Sequence, residues 1–347
     1  MSAASPAPPD VLVRALSADG SVAVRALVAT VLVGEAVARH ATAPTASAAL
    51  GRTLMGALLL AAGQKDEETV QLQLRGDGPL RAITAIANAE GEVRGYVGDR
   101  LADPPPRDGK LDVGGAIGRG TLAVVRFHPS WREPYTGIVP LASGEVAEDL
   151  AHYLSESEQK PAAIGLGVFV GPGNAIQAAG GFLVQALPGA EDEVLERIEG
   201  NVRALPPPTR LLRDGLDADA IVDRLLDGLG SRERHRSRPR FHCRCTRDRV
   251  RHAVTLLGRA ELLGSQGNRP SDRPAPRKCA PASVPRPAQA GQSDSHVSGL
   301  GAIATRAVAP RLASASTPER HGLIGLQTPS IVQVPVQSVC VVTVQGG

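Results

Sequence analysis

Aromatic residues are nearly missing from this chain, with four Phe, three Tyr and one Trp among 347 residues. Any core must therefore be assembled from Val, Leu, Ile and Ala, and a hydrophobic content of 42% permits one. Cysteine is as scarce, at four, too few for a disulfide framework of the kind small secreted domains use. Long apolar runs are absent as well. The greasiest stretch, 54–62, has nine residues against the roughly 20 that span a bilayer, so no membrane partner is expected. Met1 is followed by Ser, Ala and Pro, without the basic start and apolar centre of a secretion signal. A reducing, cytoplasmic setting is the resulting expectation.

The net charge of +3 hides an asymmetry. From Gly264 to the end there are eight basic and three acidic residues, whereas the preceding 263 carry 30 basic and 32 acidic ones. The body is slightly acidic and the tail basic, which bears on solubility and not on fold. The tail 264–347 also lacks any aromatic residue and is rich in Pro, Ser, Ala, Gly and Arg. Such a composition does not bury enough surface to offset ordering entropy, so this segment is expected to be disordered. Its last part, 330–345, alternates Val with polar residues and reads as strand material.

The length suits about two domains. Residues 1–9 are expected to be an unordered Pro/Ala/Ser leader. Alternation over 10–17 and 21–28 around Ala18-Asp19-Gly20 predicts a β-hairpin. Stretches 30–40 and 44–64 predict helices, the second apolar around most of its circumference. Strands are predicted at 69–75, 83–87, 92–97 and 121–127, and 103–110 reads as a loop. Ser143 is placed to cap a helix over 144–159, with Val146, Leu150 and Tyr153 on one face and Glu145, Glu148 and Asp149 at its positive end. With Tyr135 these acids resemble an acid–base cluster, but they read better as the solvated start of a helix. A strand pair is predicted at 164–170 and 175–187 and a helix at 191–204, broken by Pro206-Pro207-Pro208. Short helices are expected through 211–230. The run Gly114–Gly120 lacks the Gly-Lys-Ser/Thr ending of a phosphate-binding loop and reads as a turn.

Against this background Cys243-Arg-Cys245 stands out. One residue between two thiols brings both sulfurs within reach of one metal ion or of a redox exchange. Nine arginines lie between Arg232 and Arg251, and positive charge favours the thiolate, which is both nucleophile and metal ligand. Read alone, the pair is equally compatible with two small residues in an exposed basic loop.

Several segments together resemble one family, the redox-regulated holdase chaperones of the heat shock protein 33 type. They are Pro134-Tyr-Thr-Gly-Ile-Val-Pro-Leu-Ala-Ser-Gly-Glu-Val-Ala-Glu-Asp-Leu150, Ser157-Glu-Gln-Lys-Pro161, Gly180-Gly-Phe-Leu-Val-Gln-Ala-Leu-Pro-Gly189, and Cys243-Arg-Cys-Thr-Arg-Asp-Arg249 with Leu257-Gly258. The resemblance covers about residues 10–262. It implies an α/β (α+β) N-terminal domain with mixed sheets and packed helices over 10–205. A helical linker follows over 206–240, and then a zinc and redox segment over 241–263. It also implies ATP-independent binding of unfolded or misfolded client proteins under oxidative stress, a homodimer when active, and no catalytic site. In the resembled family four cysteines, a C-x-C and a later C-x-x-C, hold one Zn²⁺ until oxidation releases it and unfolds the linker.

The chain departs from that pattern. Cys243 and Cys245 match the first pair, and no C-x-x-C follows. Cys279 falls near the expected distance without a partner. A closed zinc site wants four N or S ligands, so His242, His252 and Cys279 are the additional candidates beside Cys243 and Cys245, and impaired redox switching is expected. Two origins suit the tail: an out-of-frame reading of the original C-terminus, or a replacement. Two other functions remain on the sequence. A thiol–disulfide oxidoreductase would use Cys243 to attack and Cys245 to resolve, but no scaffold for a preorganised thiolate is evident. A nucleic-acid binder would use the arginines, but only Phe241 is there to stack, so nucleic acid is not an expected partner.

Overall fold

The computed structural model describes residues 9–64, 67–243, 245–249, 251, 252 and 254–256. Residues 1–8 of the expected leader, and the tail 264–347 with Cys279 and its Val-rich end, lie outside the described residues. The chain divides after Cys245.

The larger unit is built on two sheets. Strand β1 (Val11–Leu16) pairs with β2 (Val22–Val28) as the expected hairpin. Gly20 holds a φ of +84° in the turn, a conformation that costs glycine nothing. Helices α1 (Thr30–His40) and α2 (Pro44–Ala61) follow. Then come β3 (Thr69–Gly76), β4 (Ala82–Asn88), β5 (Glu92–Val97), the short helix α3 (Val113–Ile117), β6 (Gly120–Phe127) and β7 (Tyr135–Pro140). Helix α4 (Val146–Glu156) leads to the pair β8 (Ala162–Val170) and β9 (Ile176–Ala186). Helices α5 (Asp192–Ala204), α6 (Pro208–Arg213) and α7 (Ala218–Leu225) precede two last strands, β10 (Arg232–Ser237) and β11 (Arg240–Phe241). The five-stranded sheet has the order β10-β1-β2-β9-β8 and the six-stranded sheet β11-β5-β4-β3-β6-β7. This is the expected mixed α/β body.

Helix α2 explains why so few aromatics suffice. It packs on strands of both sheets, and every residue from Thr45 to Ala61 is buried. Small residues let the neighbours come close. A Cβ on Gly51 would meet Val33 at 2.7 Å and Val168 at 2.9 Å, and one on Gly56 would meet Leu150 at 2.5 Å. Alanine and leucine fill this central layer with Leu27, Leu72, Ile83, Val124 and Leu166 around them. The opposite face of the five-stranded sheet (Val13, Val24, Phe182, Val184) forms a second core with Ile198, Val202, Leu211, Ile221 and Leu225 of α5–α7.

Local differences from expectation have physical reasons. Ser143 does not cap α4. Its hydroxyl bonds Glu148 at 2.6 Å, and Asp149 Oδ1 accepts the amides of Ala142 and Ser143 at 2.8 and 3.2 Å, closing the turn from inside. Glu145 and Asp149 are therefore buried, not solvated. Glu145 is also the ion-pair partner of Arg52, which lies fully buried in the middle of α2. The glycine run contains α3, whose first turn is capped by Asp112 accepting the Gly115 amide at 2.9 Å. Strand β7, read only as part of a motif, pairs with β6 through all six of its residues.

The stretch 206–240, expected to be helical, carries α6 and α7 and then ends in strand. Arginine-rich β10 adds itself antiparallel to β1, because two acids of α7 hold it there. Arg236 Nε bonds Asp219 at 2.8 Å, and Arg234 bonds Asp223. In the second unit the described residues of 247–256 are helical, with Thr246 Oγ1 accepting the Arg249 amide at 3.2 Å.

Candidate thiol site

The two cysteines follow a strap, residues 232–242, that touches both sheets. β10 extends the five-stranded sheet beyond β1. After Pro239 the chain crosses to the other sheet, where β11 lies parallel to β5, with Arg240 opposite Glu92 and Phe241 opposite Val93. The Arg240 amide donates to Gly91 O at 2.9 Å and the His242 amide to Val93 O at 2.8 Å. The Arg240 guanidinium is ion-paired with Glu92.

Very little of the strap is buried. Every residue of β10 except Arg234 is exposed, and the buried residues are Pro239 and Phe241. Phe241 is 7% exposed. Its ring stands edge-on to His40, with centroids 6.2 Å apart, and the Arg39 guanidinium lies 5.8 Å from its centre. Polar surface pairs hold most of this segment, and one aromatic ring provides its large apolar anchor.

Cys243 comes two residues after that ring. It is half-buried and packs against the main core, while Cys245 is exposed, and no disulfide joins the two. The backbone amide and thiol of Cys245 donate to the Cys243 sulfur and hold its thiol below the ordinary range. Partial burial opposes them, and the charges of Arg39 and Arg94 assist. Sequence reasoning found the arginines nearest in the chain. It missed Arg39 and Arg94, on α1 and β5, which only the fold brings to the sulfur.

Of the other candidate ligands, only His242 lies among the described residues of the same unit as the thiols. His242 is exposed and adjoins Cys243 in sequence; His252 belongs to the second unit; Cys279 lies outside the described residues. Among the described residues no group of three or more His, Cys, Asp or Glu is arranged to hold a metal. Two sulfurs are half of a tetrahedral shell, so the described residues do not fit a closed zinc site. Among the described arginines of this run, Arg232, Arg234, Arg236, Arg240 and Arg251 each pair with an acid. No described helix is long and apolar enough to cross a membrane.

Comparison with known proteins points one way. The model of the Hsp33 protein family matches residues 10–266. A 33 kDa chaperonin of Symbiobacterium thermophilum is 46% identical over 257 residues, covering 74% of this chain and 87% of that protein. One from Desulforamulus reducens is 43% identical over 262 residues, covering 74% and 89%. The one from Bacillus subtilis is 42% identical over 255, covering 73% and 87%. Among solved structures, the 33 kDa chaperonin of Thermotoga maritima superposes with a TM-score of 0.69 at 34% identity, covering 75% of this chain and 89% of that one.

Proposed function

Because this chain belongs to the Hsp33 family of chaperones, we propose that it is an ATP-independent holdase for unfolding proteins whose thiol sensor is incomplete. It acts in the cytoplasm, by binding and not by catalytic turnover, and pairs into a homodimer when active. The observation that carries this reading is the half-built shell at Cys243 and Cys245 on a strap with one large apolar anchor.

Cys243 and Cys245 are the redox-active residues in this reading. The Cys243 thiolate attacks a peroxide oxygen, breaking the O–O bond and releasing hydroxide, which leaves as water; Cys243 becomes a sulfenic acid. The Cys245 sulfur then attacks the Cys243 sulfur, a second water departs, and a disulfide remains. Peroxide is reduced and the two thiols are oxidised. The ring closed by a C-x-C bridge is small and strained, so the bridge is readily reduced again. Zinc in this family is a cofactor of the complete cysteine set. Here Cys243 and Cys245 would need two of Cys279, His242 and His252 to complete the shell, and no step above depends on it.

The test is suppression of aggregation of a heat-denaturing client, followed by light scattering, with the chaperone reduced or treated with peroxide. Suppression that differs less than about twofold between the two states supports a holdase with impaired switching. Suppression that appears only after peroxide refutes the impairment, and its absence in both states refutes the holdase assignment.

A further inference from the structure

Three neighbouring strands of the five-stranded sheet place basic side chains in one row. His235 of β10 stands opposite Arg14 of β1, and Arg14 stands opposite Arg25 of β2. Residues directly opposite across antiparallel strands project from the same face, with Cβ atoms about 4.5–5.5 Å apart, and like charges so placed repel. Such a row calls for a counter-charge. Among the described residues, neither arginine has a carboxylate within ion-pairing distance.

Their partners are neutral. Arg14 Nη1 donates to Ala62 O at 2.6 Å, at the C-terminal end of α2. Arg25 Nη1 donates to Gln185 Oε1 at 2.5 Å. The end of a helix presents about half an elementary negative charge, which does not balance two guanidiniums. Burial, then the charges of Arg14 and Arg126, lower the Arg25 guanidinium to about 10, with only Glu158 acting the other way. Among the charges around Arg25, the like ones of Arg14 and Arg126 outweigh the opposite one of Glu158.

The same three side chains line one cleft of about 280 Å³, walled by Gly63, Ala23 and Leu16. A water molecule occupies about 30 Å³ of liquid, so the space admits a polyatomic ion. Each guanidinium carries five N–H donors in a planar fork, and one hydrogen bond apiece leaves further donors for a ligand. Two adjacent forks suit an oxyanion with several acceptor oxygens. Glu233 also lines the cleft. It is exposed, its φ is +53°, and its carboxylate is 3.8 Å from Arg232. It therefore sets the affinity from the opposite side.

We propose that this cleft is a binding site for a phosphate group, held between Arg14 and Arg25 with His235 as a third donor. The group is either free inorganic phosphate or the phosphoryl end of a small ester. The site is independent of the thiols and of the holdase reading.

Isothermal titration of the full, reduced chain tests this, with inorganic phosphate and glycerol phosphate in separate arms and chloride holding the ionic strength constant. Saturable binding with one site per chain is expected in at least one arm, and which arm responds identifies the source. Arg14→Gln weakens binding at least tenfold. Because that change also removes a contact to the end of α2, Glu233→Gln serves as the second variant. It removes an opposing charge from an exposed position and tightens binding several-fold. Heats no different from those of chloride, an Arg14→Gln variant that is folded and binds unchanged, or a Glu233→Gln variant that binds no tighter would each overturn the proposal.

Discussion

Phe241→Ala is the sharpest probe of how the thiol segment is held. The ring is almost fully buried and is the strap's one large apolar side chain in the core. Replacing a buried Phe by Ala costs about 3–5 kcal/mol. The lower end applies here, since the ring lies at the rim of the core with Arg39 and His40 against it. Each 1.4 kcal/mol is about tenfold in an equilibrium, so about 3 kcal/mol raises local opening by a factor on the order of 10². On the β5 side the remaining attachments are two backbone hydrogen bonds and the Arg240–Glu92 ion pair, an exposed pair contributes roughly 0–1 kcal/mol, and β10 keeps its own ladder to β1. The loss should therefore be local. Hydrogen exchange reads it directly at the amides of Arg240 and His242, bonded to Gly91 and Val93, which should lose about two orders of magnitude of protection. The amides of β3 and β4 should keep theirs, and Cys243 should react faster with a disulfide reagent. Protection at Arg240 and His242 that changes less than about threefold would refute the idea that the ring anchors the strap. Equal loss in β3 and β4 would refute its separability from the body.

Four further outcomes are expected. Cys245→Ala removes the side-chain donor to the Cys243 sulfur, so the midpoint of the pH profile for Cys243 alkylation should move up; an unmoved midpoint would exclude that bond as a cause. Glu145→Gln leaves Arg52 buried without its counter-charge, at a cost of about 3 kcal/mol, measurable by urea unfolding. Burial would raise the Glu158 carboxyl, but hydrogen bonds and charge from Lys160 and Arg126 outweigh it and hold the group below its ordinary 4.5. Its stabilising contribution is therefore complete above about pH 4.5 and lost as pH falls through the lower folded value; in Glu158→Gln the acid limb of the stability curve should be shallower. Zinc analysis of the purified reduced chain should find well below one ion per molecule, and a full equivalent would mean that residues beyond the described ones complete the shell.

Much of the architecture was legible in the residues. The Asp19-Gly20 turn, the largely apolar α2 and the β8–β9 pair follow from period and punctuation, because each is written in the pattern of its own residues. What escaped depended on distant partners. Strand β10 reads as a solvated arginine run because nothing in 232–237 is apolar; it becomes a strand through Asp219 and Asp223. Glu145 and Asp149 read as surface acids of a helix start until Arg52 and the 142–143 amides claim them. At the thiols, the pair itself was plain from spacing, whereas the charges that act on Cys243 come from positions about 150 and 200 residues earlier in the chain.

The strap's path has a consequence for the rest of the body. Segment 232–241 completes the hydrogen-bond ladder of β1 on one sheet and of β5 on the other. Peeling it away would uncover two bare rims at once, each a row of unmet amides and carbonyls of the kind that templates an incoming extended chain. A single release near Cys243 would thus change the adhesiveness of both halves of the molecule together.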